Sequence, residues 1–349
     1  MQAADRDACA SDISLYAFEP HAARARRVET SMRVGLADSL SAALCALGGD
    51  THSSGADLIA RVRAGAVAPV VFGAYTELVE AIFADDLGAA KKIAQELCLP
   101  AFGQSDGLRI LTLNDRYLGK DQTARYRRLV DEDQEVGLAL RPLAEGEFAV
   151  ACGRIKAAVN LLESAAPEVA GELHALVREI VVVDKAGNWP FGASSFQLWG
   201  ALFIKLRPWA SRVEIAESLA HECAHALLFG FGMGAPLVEN EPQALYPSPL
   251  RSDPRPMDGV VHATYVIARM YYTVSRLLES GLLTEEETRE ARAAKERNAL
   301  GYAEGISVVE AEARWTPAGL AALASAKTYM ADHTSRSGNR AQLSRLHLL

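Results

Sequence analysis

The sequence predicts an α+β chain that is mostly helical, with a small sheet beside the helix that carries an HExxH motif. Three observations predict it. Long stretches such as HAARARRVETSMRVGLADSLSAALCAL and VVHATYVIARMYYTVSRLLESGL space their apolar residues at helical intervals. Short apolar, β-branched runs, LRILTLN and EIVVVD, stand between such stretches. SFQLWGALFIK, a further apolar run, leads through RPW into the strong helical stretch EIAESLAHECAHALLFGFG.

The elements follow in order. The first helix stops at Gly48–Gly49, and THSSGADLIARVRAG starts again from a polar cap. PVVFGAYTELVEAIFADDLGAAKKIAQEL reads as two helices broken near Asp85–Asp86. LRILTLN and VGLALRP are β-like runs on either side of a charged helix, DQTARYRRLVDED. A helix over about 144–164 ends before Pro167, and EIVVVD is a buried strand. KAGNWPFGAS is a turn, and SFQLWGALFIK a strand that precedes the HECAH helix. The segment after it holds Pro236, Pro242, Pro247, Pro249, Pro254 and Pro256, which excludes a helix or an inner strand and predicts a long ordered loop. Three helical stretches and a polar tail follow. The expected organisation is a mainly helical N-terminal region over 1–145, able to hold a peptide leader, a metal-binding catalytic region over 146–333, and a tail over 334–349.

Composition bounds the function. A chain of 349 residues, 50% hydrophobic and 23% charged, has material for a large core. Thirty-six Lys and Arg against 44 Asp and Glu give a net charge of −8, which argues against a nucleic-acid partner. No apolar run approaches the roughly 18 residues of a membrane span. The N-terminus lacks the basic start and apolar stretch of a signal peptide. The five scattered cysteines form no CxxC pair, so reduced thiols and a cytoplasmic location are expected.

His221-Glu222-Cys223-Ala224-His225 is the HExxH motif, for which residue frequencies give on the order of 0.01 chance matches in such a chain. At about 100° per residue, His221 and His225 lie within about 40° of each other. Ile215, Leu219, Cys223 and Ala226 fall on the opposite face, so the helix buries an apolar back and presents two imidazoles as ligands for one metal ion. ALLFGFGMG, which follows His225, holds no histidine, so the metzincin pattern fails. The third ligand is then a downstream carboxylate, Glu239 or Glu241, or His262, 37 residues after His225 and in the first turn of the next helix. A proline-tightened loop leading into a helix favours His262, because it aims a first-turn side chain reproducibly.

The stretch SPLRSDPRPMDGVVHATYVIAR, with the upstream HExxH helix and the strand-like SSFQLWGALFIK, resembles the HExxH-containing peptide-modification family, whose members accompany ribosomally made, post-translationally modified peptides. The resemblance covers about residues 180–275, and DPRPMDGVVHA is its most specific part. It implies an iron(II)- and 2-oxoglutarate-dependent oxygenase that β-hydroxylates a precursor peptide, with His221, His225 and His262 as the metal ligands. Such a site leaves three positions for 2-oxoglutarate and O₂. The far carboxylate of 2-oxoglutarate needs a cation, for which Arg255 and Arg251 on the loop are the first candidates and Arg269 and Lys205 the next. Tyr265 stands one turn from His262, either lining the pocket or in the core. The partners expected are the precursor peptide and other peptide-maturation enzymes, with neither nucleic acid nor membrane.

Two rival readings use the same residues. In a zinc metallopeptidase, His221 and His225 with His262 or Glu239 hold the metal, and Glu222 is the general base on its water. In the oxygenase reading Glu222 orients a ligand or water. The third reading is a non-catalytic, metal-stabilised peptide-binding protein. In either enzyme a strand edge in SFQLWGALFIK offers β-augmentation for a peptide, with Phe196 and Trp199 as pocket walls or core.

Overall fold

The structure is a computed structural model that describes residues 14–48, 52–65, 67–130, 139–185, 191–233 and 236–346, the side chains of 52, 53, 191, 251, 252 and 334–346 excepted. The chain is mostly helical with a small mixed sheet, as its periodicity predicts. It divides into two compact units. One comprises Ala25–Asn160 and Glu172–Gly230; the other comprises Met1–Arg24, Leu161–Gly171 and Phe231–Leu349. The expected boundary at 145/146 falls in the first turn of a helix, inside the former unit.

The sheet-bearing unit begins with α1 (Ala22–Ala46), α2 (His52–Ala64), α3 (Pro69–Phe83) and α4 (Leu87–Leu97). The break between α3 and α4 is the one expected: Asp85 takes a positive φ of 57°, and the Asp86 side chain caps α4 by accepting from Ala89 N at 2.9 Å. Then come β1 (Arg109–Thr112), α5 (Asp115–Leu118), α6 (Lys120–Val130), α7 (Glu145–Ala165), α8 (Pro167–Leu176), β2 (Glu179–Val182), β3 (Phe191–Ser194) and β4 (Ala201–Lys205). The sheet runs β1-β2-β4-β3, with β1, β2 and β4 parallel and β3 antiparallel on one edge. Ile180, Val181, Val182, Leu202, Phe203 and Ile204 are all at most 1% exposed, so the inner parallel strands are covered on both faces and read as unbroken apolar runs. The buried Tyr126 hydroxyl donates to Glu179 Oε2 at 2.6 Å; burial and the neighbouring carboxylate together push the phenol well above its ordinary range.

Three expectations need correction here. The described part of VGLALRP, residues 139–142, forms no strand and contributes only an isolated bridge between Arg141 and Asp184. SFQLWGALFIK is not one strand, because Phe196–Leu198 forms a 3₁₀ turn and Gly200, at φ +91°, reverses the chain before β4 begins. The end of KAGNWPFGAS is not a turn but β3, held in the sheet by its register against β4, Gly192 opposite Ile204 and Ser194 opposite Leu202.

The helix α9 (Arg212–Gly232) follows β4, and after it the second unit contains β5 (Leu245–Ser248), β6 (Arg251–Pro256), α10 (Met257–Glu279), α11 (Glu285–Glu312) and α12 (Pro317–Leu346). The proline-rich segment is therefore not wholly loop: β5 and β6 pair antiparallel, Leu245 opposite Pro256 and Tyr246 opposite Arg255, with a bulge at Pro247. A two-stranded ribbon has an outward edge on each strand, so prolines there remove no ladder bond. Over 334–346 the expected tail continues α12. The unit's core gathers Val238, Met257, Val260, Val261, Val309 and Leu323. Phe18 lies edge-on to Tyr265, with ring centroids 5.7 Å apart, and 4.9 Å from the ring of Tyr329. Thr284 and Glu287 form a reciprocal capping box at the start of α11. Among the described residues no helix is long and apolar enough to cross a membrane.

Candidate metal centre

The HExxH helix has the predicted faces. Ile215, Leu219, Cys223 and Ala226 are at most 3% exposed, whereas His221 and His225 are only half-buried. One helical turn apart, the two histidines bring their Nε2 atoms to 3.2 Å. Two imidazole nitrogens sharing one first-row metal ion at about 2.0–2.1 Å stand about 2.9–3.4 Å apart, for angles between octahedral and tetrahedral. The same spacing suits a hydrogen bond between one protonated and one bare nitrogen, which keeps the metal-free pair together. Burial pulls the His221 imidazole down to about 4, so at neutral pH the ring is uncharged and has a lone pair to offer.

Glu222 lies beside this pair and points into the unit. It is buried, with Oε1 3.7 Å from His221 Nε2. Among the described residues its Oε2 has no hydrogen-bond partner. Burial pushes the carboxyl up to about 8, against the opposing effect of a hydrogen bond with Ser194. The carboxylate fits only because β3 has no side chain at Gly192: a Cβ there would stand 2.1 Å from Oε1 and 2.9 Å from Cδ. Ser194 and Gly192 went unnoticed in the sequence, where both sit in an apparent turn. Phe229 did too, although its spacing one turn after His225 was available: its ring stacks at 6.5 Å on the His225 ring and lies 6.3 Å from that of Phe196. Phe196 is 46% exposed and borders the centre, while Trp199 is buried in the core. The uncharged His221 imidazole, the adjacent His225 nitrogen and an orphaned buried carboxylate oxygen together suit a divalent cation.

His262 belongs to the other unit. It lies in the second turn of α10 rather than the first, because the helix begins at Met257. It is buried, its Nε2 is 3.8 Å from Asp258 Oδ2, and burial lowers its pKa while Asp258 pulls the other way. His221 and His225 are thus brought together, and among the described residues no group of three His, Cys, Asp or Glu side chains forms a metal-holding cluster. Glu239 donates its N–H to Arg314 O at 2.7 Å, and Glu241 lies 3.6 Å from the Arg314 guanidinium.

The cationic candidates separate. Arg255 pairs with Asp253 at 2.8 Å and keeps a buried Nε that has no partner among the described residues. The Arg251 side chain lies outside the described residues. Arg269 is committed to Phe18, donating to its carbonyl at 2.5 Å and lying over its ring. Lys205 donates to the Lys185 carbonyl. Tyr265 is core, 1% exposed and edge-on to Phe18 and Phe231. No protein-family profile matches the chain, and no curated protein sequence is significantly similar to it.

Proposed function

We propose that this chain is an iron(II)- and 2-oxoglutarate-dependent hydroxylase acting on the side-chain Cβ of a ribosomally made precursor peptide. The observation that carries it is the His221–His225 pair, uncharged at His221 and spaced at 3.2 Å to share an ion. The likeness of RSDPRPMDGVVHA to the peptide-modification family supplies the reaction class and His262 as third ligand. When bound, iron and 2-oxoglutarate supply the oxidation: O₂ and 2-oxoglutarate are consumed, succinate and CO₂ leave, and a C–H bond becomes C–OH. The chain's own residues hold and orient. His221, His225 and His262 are the ligand set, Glu222 orients its neighbours from the buried side, and Phe196 and Phe229 wall the approach. The outer edge of β3 offers a peptide main-chain pairing, a place first expected on SFQLWGALFIK.

A zinc metallopeptidase is the second reading, favoured by one observation: the Glu222 carboxylate beside His221 has an oxygen with no partner, as a general base on a metal-bound water requires. The deciding experiment is anaerobic reconstitution with Fe(II), 2-oxoglutarate and the peptide encoded beside the gene. Mass spectrometry is expected to find one added oxygen atom per succinate formed. Zinc-supported cleavage that is indifferent to 2-oxoglutarate hands the case to the peptidase. Glu222→Gln sharpens it, since loss of a general base typically costs about 10²–10⁴-fold, whereas an orienting group leaves much of the hydroxylation intact.

Arg255 is the proposed 2-oxoglutarate anchor. Its pairing with Asp253 holds the guanidinium in place on β6 and leaves Nε to donate. A charge-assisted bidentate pair is worth about 1.5–3 kcal/mol, so Arg255→Lys, which keeps the charge and loses the fork, is expected to raise the 2-oxoglutarate requirement roughly ten- to a hundredfold at unchanged metal occupancy. A variant that saturates like the parent leaves Arg255 as a loop-holding residue and moves the role to Arg251.

A further inference from the structure

A second site lies at the carboxyl ends of β2 and β4, and none of the histidine centre's residues lines it. A cavity of about 660 Å³ opens there, within the usual range for small-molecule sites. Its floor is the chain directly after the two parallel strands, residues 183–185 and 205–209, and one wall is a face of α7. The crevice outside the carboxyl ends of parallel strands is where open sheets place their ligands, because the connecting segments diverge there.

Most charged side chains of the lining are cationic. Arg141, Arg154, Lys185, Lys205 and Arg207 face it. Against them stand Asp184 and Glu147 in the lining, and Glu214 paired to Arg207 at 2.8 Å. Among the described lining residues five side chains are cationic and two acidic, in a chain whose net charge is −8. One carboxylate, Asp184, is shared by two cations, Arg141 at 2.7 Å and Lys205 at 3.8 Å. Apolar surface is on offer as well: Trp209 is 70% exposed and Val150 on α7 is 63% exposed. Trp209 is not on a loose loop, since Arg154 donates to the carbonyls of Arg207, Pro208 and Ala210 and so fixes the backbone on both sides of it.

We propose that this crevice binds a small organic anion, its carboxylate or phosphate head among the cations and its apolar or planar body against Trp209 and Val150. The cationic side chains of the lining select the charge, the exposed indole selects the body, and the volume selects a small molecule. The test uses the full chain and two probes of one shape, 1-naphthoate and neutral 1-naphthalenemethanol, followed by calorimetry and by the emission that distinguishes the parent from Trp209→Phe. Saturable binding of naphthoate is expected, at least tenfold tighter than that of the alcohol and weakened by salt. Trp209→Ala and Lys185→Gln, both surface changes, are each expected to weaken it fivefold or more, and His221→Ala to leave it unchanged. No saturation up to about 1 mM, equal affinity for the alcohol, or parental binding by Trp209→Ala overturns the proposal.

Discussion

Alanine in place of His221, His225 or His262 is expected to strip the metal and abolish hydroxylation. The reason is coordination arithmetic. Weakening even the groups that orient a ligand typically costs 10–100-fold in metal affinity, and deleting a ligand itself costs more. His221 and His225 stand on a helix whose stability comes from its buried back, Ile215, Leu219, Cys223 and Ala226, so alanine on the other face leaves the fold intact. Metal content after dialysis, read beside circular dichroism, separates lost ligation from lost structure. Full occupancy in His262→Ala would overturn the third-ligand assignment while sparing the pair, and would return attention to Glu239 and Glu241.

Gly192→Ala is expected to be a damaging small change in the sheet-bearing unit. The new methyl would stand 2.1 Å from Glu222 Oε1, far inside van der Waals contact, and Glu222 is buried with little room to withdraw. Overpacking of this kind costs about 1–3 kcal/mol, and relief by turning the carboxylate away disturbs the environment of His221. Thermal unfolding should move down by several degrees and peptide turnover should fall about tenfold or more. Adding Glu222→Ala to Gly192→Ala removes the clash, so the double variant should recover much of the lost stability. Strict additivity of the two changes would show that the carboxylate does not rest on that glycine.

How far the sequence reveals this arrangement depends on which force sets each element. Helical periodicity is written locally, so α1 to α4, α6 and the faces of α9 are legible from spacing alone, down to the buried Ile215 and Cys223. The apolar runs EIVV and ALFIK announce their burial because both sheet faces are covered. The strand β3 does not announce itself. Its FGAS has a glycine and small residues with weak strand preference, and only pairing with the distant β4 makes it a strand. Pro254 and Pro256 argue against a strand until the ribbon supplies edges that need no N–H. Gly192 and Ser194 are part of the centre only because register sets them against Glu222, thirty and twenty-eight residues later, which no local pattern encodes. The division of the chain between units is equally non-local, each unit drawing on separated segments.

That interleaved division sets an order on biosynthesis. The polypeptide passes from one unit to the other at residues 24/25, 160/161, 171/172 and 230/231. The sheet-bearing unit has all its residues once Gly230 has left the ribosome, His221 and His225 included. The other unit then possesses only its first segment and the piece around Glu168, with Phe18 still lacking Tyr265, Tyr272 and Tyr329 to pack against. At the usual 5–20 residues per second, the 99 residues from Gly230 to Tyr329 take roughly 5–20 seconds to appear. During that interval the nascent chain carries the histidine pair while Phe18 awaits its aromatic partners. On the proposed ligand set, the full complement for iron is present only once His262 has emerged.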